Sequence, residues 1–192
     1  RAKLLGQRTA EMHIALASVE DDRAFAPEPF NALAQRSVFQ NMRASLKRVF
    51  GWWAQDRAGR PGTSREERWQ RVGEEKQIPA RDRHVLARRT VARKIRIHGD
   101  YHLGQALYTG KDFVILDFEG EPARSLSERK MKRSALRDVA GMMRSFQYAA
   151  YSGLWQSTVR PEDVEFLEHW ADVWYREMSS EFLGSYLRTA RG

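Results

Sequence analysis

Apolar residues recur at helical spacing over most of this chain. Leu5, Met12, Leu16 and Val19 share one stripe and predict an amphipathic helix over 4–19. The segment Asp21 to Pro29 carries two prolines and breaks the pattern. Phe30, Leu33, Ser37, Phe39, Met42, Leu46, Val49, Phe50 and Trp53 then mark a longer helix over 30–54. Gly59-Arg-Pro-Gly62 reads as a turn. Ser64 with Glu67 fits a capping box and predicts a helix over 65–76, and another is expected over 80–92 after Pro79. At Lys94 the period changes to two. Lys94-Ile-Arg-Ile-His98 alternates as a half-buried strand does, and Gln105–Tyr108 and Asp112–Leu116 flank a Gly-containing turn, predicting a β-hairpin. An isolated hairpin is marginal, so it is expected to rest on the helical body. The polar, basic segment 122–133 reads as a loop. Ser134 is placed to cap a helix reaching about 152, with Leu136, Val139, Met143, Phe146 and Ala150 inward. Pro161 suits the first position of a last helix with the stripe Val164, Leu167, Ala171, Trp174, Met178, Phe182 and Tyr186. The expected fold is mainly α with one small hairpin, without internal repeats.

Composition narrows the class. The 192 residues suffice for one domain, or one domain of two subregions. A hydrophobic share of 42%, with 6 Trp, 6 Tyr and 9 Phe, can fill a core and argues against disorder. The absence of cysteine excludes disulfides and Cys-ligated zinc and suits a reducing cytoplasm. No apolar run approaches the roughly 20 residues of a membrane span, and no signal-peptide core follows Arg1. The first residue is not Met, so the chain is expected to be a piece of something longer. The net charge of +8 comes from clusters at 81–96 and 124–137 and favours an anionic partner. Nucleic acid is not expected, because no aromatic interleaving or recognition motif accompanies the basic run.

The candidate chemistry lies at 98–121. Asp100 follows a strand in a tight turn, with Gly99 supplying conformational freedom. Gln105 offers an amide oxygen and Asp117 closes the second hairpin strand. Glu119 is a second carboxylate on the same side of an extended chain as Asp117. Phosphoryl transfer needs a carboxylate that orients the attacking hydroxyl and oxygen ligands for magnesium. Asp100 is the candidate base, and Gln105, Asp117 and Glu119 are the candidate magnesium ligands, with ATP as co-substrate.

His98-Gly-Asp-Tyr-His-Leu-Gly-Gln105 resembles the catalytic loop of the aminoglycoside-phosphotransferase and protein-kinase-like families, and Leu116-Asp-Phe-Glu119 resembles their metal-binding segment. Three stretches are most similar to the bacterial maltokinase branch, often fused behind trehalose synthase: Arg96–Gln105, Phe113–Arg124 and Leu136–Phe146. Gln105 in place of the commoner Asn is typical of that branch, whereas Ser125 stands where Pro is expected. The resemblance implies ATP-dependent phosphorylation of maltose at its anomeric hydroxyl, feeding α-glucan and trehalose metabolism. It also implies that the chain is the helical C-terminal lobe of a protein-kinase-like fold. Residues 1–93 would form a helical subregion and 94–192 the catalytic core. The N-terminal lobe is expected to be absent and the isolated chain inactive. Alternatives are a kinase of the same superfamily acting on an aminoglycoside, choline or another hydroxyl compound, and a non-catalytic module contacting a fused trehalose synthase.

The remaining residues carry weaker signals. His98 is expected to orient the loop through hydrogen bonds. His102 either packs on the loop or meets the phosphoryl group. Trp170 and Trp174, one helical turn apart, and Tyr148 with Tyr151 are candidates for stacking on a sugar, against the alternative of ordinary core. An Arg137–Asp138 ion pair is expected to brace the loop. His13, His84 and His169 read as ordinary surface or satisfied residues.

Overall fold

A computed structural model describes residues 1–55, 92–155 and 159–191. The expected turn at 59–62, the helices over 65–76 and 80–92, His84 and most of the 81–96 basic cluster lie outside the described residues. The chain divides into two units, one made of Arg1–Glu28 with Arg93–Gly192 and the other of Pro29–Ala92. Its helices are α1 (Ala2–Ala17), α2 (Ala32–Gln55), α3 (Leu126–Arg129), α4 (Leu136–Ser152) and α5 (Val164–Thr189). Its strands are β1 (Glu28–Pro29), β2 (Arg93–Lys94), β3 (Ala106–Tyr108) and β4 (Phe113–Ile115). Among the described residues, no helix is long and apolar enough to cross a membrane.

The first unit is built on α1, α4 and α5. Its core comprises Ala2, Leu5, Ala10, Tyr101, Val139, Met142, Phe146, Phe182 and Tyr186. The inward face of α1 differs from the expected stripe. It runs through Ala2, Leu5, Gly6, Thr9, Ala10 and His13, while Val19 lies outside the helix and is exposed. Small side chains occupy this face because α1 lies against the backbone of α5. A Cβ built on Gly6 would stand 2.2 Å from the Phe182 carbonyl oxygen. Of the expected stripe Leu5 is buried on this face, whereas Met12 and Leu16 are only half-buried beside it.

The hairpin forms with Ala106 opposite Ile115, Leu107 opposite Val114 and Tyr108 opposite Phe113. Alternation sends Ala106, Phe113 and Ile115 toward the core and leaves Leu107 and Val114 exposed. Arg8 of α1 grips the hairpin turn through a two-pronged bond to Asp112, at 2.7 and 2.9 Å. The expected strand over 94–98 is shorter. Only Arg93 and Lys94 are strand, and Ile95 continues with a bridge to Arg133. The expected loop at 122–133 contains α3, capped by a reciprocal Ser125–Glu128 box. On α4, Leu136 is exposed and Met142 is buried, so the inward face is Asp138, Val139, Met142 and Phe146. Ser134 lies outside α4, whose first flanking residue is Ala135. Glu28 joins Lys94 at 2.8 Å and Lys132 at 3.0 Å, tying the segment after α1 to the strand entering the loop.

In the second unit, Asn31 Oδ1 accepts the Ala34 N–H and satisfies a first-turn amide of α2. Phe50 is buried there, whereas Leu33, Met42 and Val49, expected inward, are exposed.

Candidate active site

Buried Ile95 and Ile97 lead the chain into the loop at His98. His98 is itself buried, and its Nε2 lies 2.7 Å from the Leu116 carbonyl oxygen. A carbonyl only accepts, so Nε2 carries the proton. His98 Nδ1 is then free to accept the Asp100 N–H, at 3.4 Å. One imidazole thus fixes the backbone before Asp100 to the residue before Asp117. Phe118 covers the same ring, with centroids 5.0 Å apart.

The turn needs unusual backbone on both sides. Gly99 has φ +89° and Gly120 φ +77°, and a Cβ on Gly99 would stand 3.4 Å from the Gly120 Cα. Asp117 has φ +61°, a left-handed conformation that Asp tolerates better than most side chains. Asp117 to Gly120 therefore turns rather than extends, and the same-side placement of Glu119 inferred from an extended chain does not hold. Glu119 lies exposed in that turn.

Beneath the loop sits Asp138 of α4, 1% exposed. Its Oδ2 accepts the His98 N–H at 2.8 Å and its Oδ1 the Gly99 N–H at 3.0 Å. A third bond joins Oδ2 to His13 Nε2 at 3.1 Å, and His13 Nδ1 is bonded to the Tyr186 hydroxyl at 3.0 Å. The expected Arg137–Asp138 pair is not formed, because Asp138 is turned inward onto the loop amides. Arg137 is half-buried, and burial first, then the charges of Arg124 and Arg133, lower its pKa.

Further contacts fix the rest of the loop. Tyr101 is buried and its hydroxyl donates to Thr9 Oγ1 at 2.8 Å, since Thr9 spends its own proton on the Leu5 carbonyl. Burial raises the Tyr101 pKa to about 12. Ser145 Oγ accepts the Leu103 N–H at 2.9 Å. Gly141 lets α4 approach, since a Cβ there would stand 2.7 Å from the Tyr101 carbonyl oxygen. His102 Nδ1 accepts the Gly104 N–H, and its Nε2 lies 4.0 Å from Asp100 Oδ2.

Gln105 Nε2 donates to Asp117 Oδ2 at 2.8 Å, so the structure brings these two candidate ligands side by side. Gln105 Oε1 and Asp117 Oδ1 make no hydrogen bond among the described residues. No group of three His, Cys, Asp or Glu able to hold a metal occurs among the described residues. The free oxygens suit magnesium, which is commonly held by one or two protein oxygens plus phosphates and water, better than a metal that needs an all-protein cage.

Tyr148, Trp170 and Trp174 are exposed, as a sugar-stacking role requires. Among the described residues, their ring partners are Arg144 for Tyr148, Phe166 and His169 for Trp170, and Phe146 for Trp174, none of them in the 98–105 loop.

No protein-family model matches the chain. A glucosamine kinase of Mycolicibacterium smegmatis is 42% identical over 89 residues, covering 46% of this chain and 21% of that protein. A glucosamine kinase of Streptacidiphilus jiangxiensis is 28% identical over 96 residues, 50% of this chain and 20% of that protein. The homologues are sugar kinases. A solved glucosamine kinase in complex with glucosamine, ADP and inorganic phosphate superposes with a TM-score of 0.73 at 26% identity, over 99% of this chain and 42% of that one. A second solved glucosamine kinase structure gives a TM-score of 0.74 over 99% of this chain and 41% of that one. The chain thus spans about two fifths of the solved relatives' length, and its fold is that of the helical C-terminal lobe of a kinase-like sugar kinase.

Sequence reasoning missed Asp138 as the acceptor for the loop, and it missed His13 and Tyr186 behind it. A signal was present for His13. It falls eleven residues after Ala2 on the face of small and polar residues that α1 turns inward.

Proposed function

We propose that the protein containing this chain is an ATP-dependent sugar kinase with glucosamine as its first acceptor to test. The observation that supports it most is the joining of the Asp100 loop to Asp117 through the His98–Leu116 bond, beside the Gln105–Asp117 pair. Asp100 orients the acceptor hydroxyl and receives its proton as that oxygen bonds to the γ-phosphorus of ATP and the bond to the departing ADP breaks. Gln105 Oε1 and Asp117 are the magnesium ligands, and Glu119 is a reserve carboxylate in the adjoining turn. Bound there, magnesium would neutralise charge on the nucleotide phosphates. His98 and Asp138 keep the two loops in register, so the geometry is set before substrates arrive. Trp170, Trp174 and Tyr148 offer exposed rings for the C–H faces of a sugar, and His102 stands within reach of Asp100.

Glucosamine is supported by the glucosamine kinases this chain is similar to, one of them 42% identical over the aligned part. Maltose is the second acceptor, supported by the similarity of 96–105, 113–124 and 136–146 to maltokinases. The test supplies full-length protein with Mg-ATP and either sugar and follows phosphorus by NMR. Glucosamine phosphate is expected. Product from maltose alone would transfer the assignment to the maltokinase reading. Product from neither would remove the sugar-kinase assignment.

A further inference from the structure

We propose that His13 is a positioning residue for the Asp100 loop, acting through Asp138 and held in turn by Tyr186. The inference rests on Asp100 being the catalytic base. Asp138 is the acceptor for the two amides immediately before Asp100, so the direction of its carboxylate decides where the turn stands. Its Oδ2 is shared between the His98 N–H and His13 Nε2. His13 is 4% exposed and Asp138 1%, so no solvent replaces a lost donor without rearrangement. The other face of His13 is occupied as well. Its Nδ1 meets the Tyr186 hydroxyl, and the Tyr186 ring stands edge-on to the imidazole with centroids 5.6 Å apart.

The backbone on either side of this chain of contacts has little freedom. Gly6, two turns before His13, brings α1 against Phe182, one turn before Tyr186 on α5. The α1–α5 crossing therefore sets the His13–Tyr186 contact. That contact sets the carboxylate of Asp138, and the carboxylate sets the His98 and Gly99 amides. Two residues distant in sequence, His13 of α1 and Tyr186 of α5, thus fix the position of the base. Such a residue affects the rate of the chemical step more than the binding of either substrate.

The experiment compares His13→Ala, His13→Gln and Tyr186→Phe in the full-length protein, with Asp100→Asn as a reference. The readouts are kcat, KM for ATP and sugar, and Tm. His13→Ala should lower kcat by about tenfold to a hundredfold while both KM values stay within about twofold. His13→Gln, whose amide can donate to Asp138, should regain most of that loss. Tyr186→Phe should fall between them. A folded His13→Ala protein with wild-type kcat overturns the proposal. So does a loss in His13→Gln as large as in His13→Ala, or a loss that only follows the folded fraction. Should His13→Ala fail to fold, wild-type kcat in both other variants overturns it. Turnover retained by Asp100→Asn would instead refute the base on which the inference rests, whereas an inactive Asp100→Asn beside an unaffected His13→Ala would refute this inference alone.

Discussion

Asp138→Asn is the substitution whose cost is most closely set by the geometry. Three donors converge on the carboxylate, two of them on Oδ2 and one on Oδ1. An amide has one acceptor oxygen. Placed at the Oδ2 site, it keeps His98 and His13 but turns an NH2 toward the Gly99 N–H. Placed at the Oδ1 site, it keeps Gly99 and opposes the other two. The first orientation is the less costly. It gives up one hydrogen bond to a charged group, worth about 1.5–3 kcal/mol. It also weakens two more, since charge-assisted bonds are roughly twice as strong as neutral ones. At 1.4 kcal/mol per decade, even the lower figure of about 1.5 kcal/mol raises opening of the loop about tenfold. Hydrogen exchange at the His98 and Gly99 amides reads this directly, and kcat should fall by tenfold or more as the base loses its place. Native protection at both amides together with wild-type turnover would refute the role given to Asp138.

Other expectations follow from the same contacts. Gly141→Ala must displace the Tyr101 carbonyl or α4, since the new Cβ starts 2.7 Å from that oxygen. The strain of about 1–3 kcal/mol should outweigh the helix-propensity gain of about 1 kcal/mol, and thermal unfolding should show a lower Tm rather than a higher one. The Arg8 guanidinium holds the Asp112 carboxyl below its ordinary range, and Lys94 and Lys132 do the same for Glu28. These contributions are present above the unfolded carboxylate values, near about pH 4, and are lost as pH falls through the lowered folded values. Arg8→Ala should therefore flatten the acid limb of a stability–pH curve. Burial moves Tyr101 the other way, to about 12. Its contribution is complete below about pH 10 and is lost as pH rises through the folded value, so Tyr101→Phe should reduce alkaline unfolding between those limits.

The hairpin and the helices α1, α2, α4 and α5 were legible in the sequence because each carries its own period or turn chemistry. The Thr109–Asp112 turn and the alternation on either side of it needed no tertiary information. The inward face of α1 was not legible by hydrophobicity, because close helix crossing selects Gly6, Thr9 and Ala10 over Met12 and Val19. The nearness of Gln105 and Asp117 was suggested by the hairpin register, which returns the chain to the same end. The role of Asp138 was hidden for a different reason. Its neighbour Arg137 offers an obvious ion-pair partner in sequence, but adjacent helical residues point to different faces, and the carboxylate takes the buried one. The turn of Asp117 to Gly120 depends on a left-handed Asp, which residue pattern alone does not announce.

The most direct measurement places full-length protein and its Asp100→Asn variant with Mg-ATP and glucosamine, and follows the sugar phosphate by phosphorus NMR. Steady formation by the parent, with a loss of about a hundredfold to ten-thousandfold in the variant, is the predicted result for removal of a positioned base. Sugar phosphate formed at the parent rate by Asp100→Asn would contradict the assignment of the 98–105 loop as the catalytic centre.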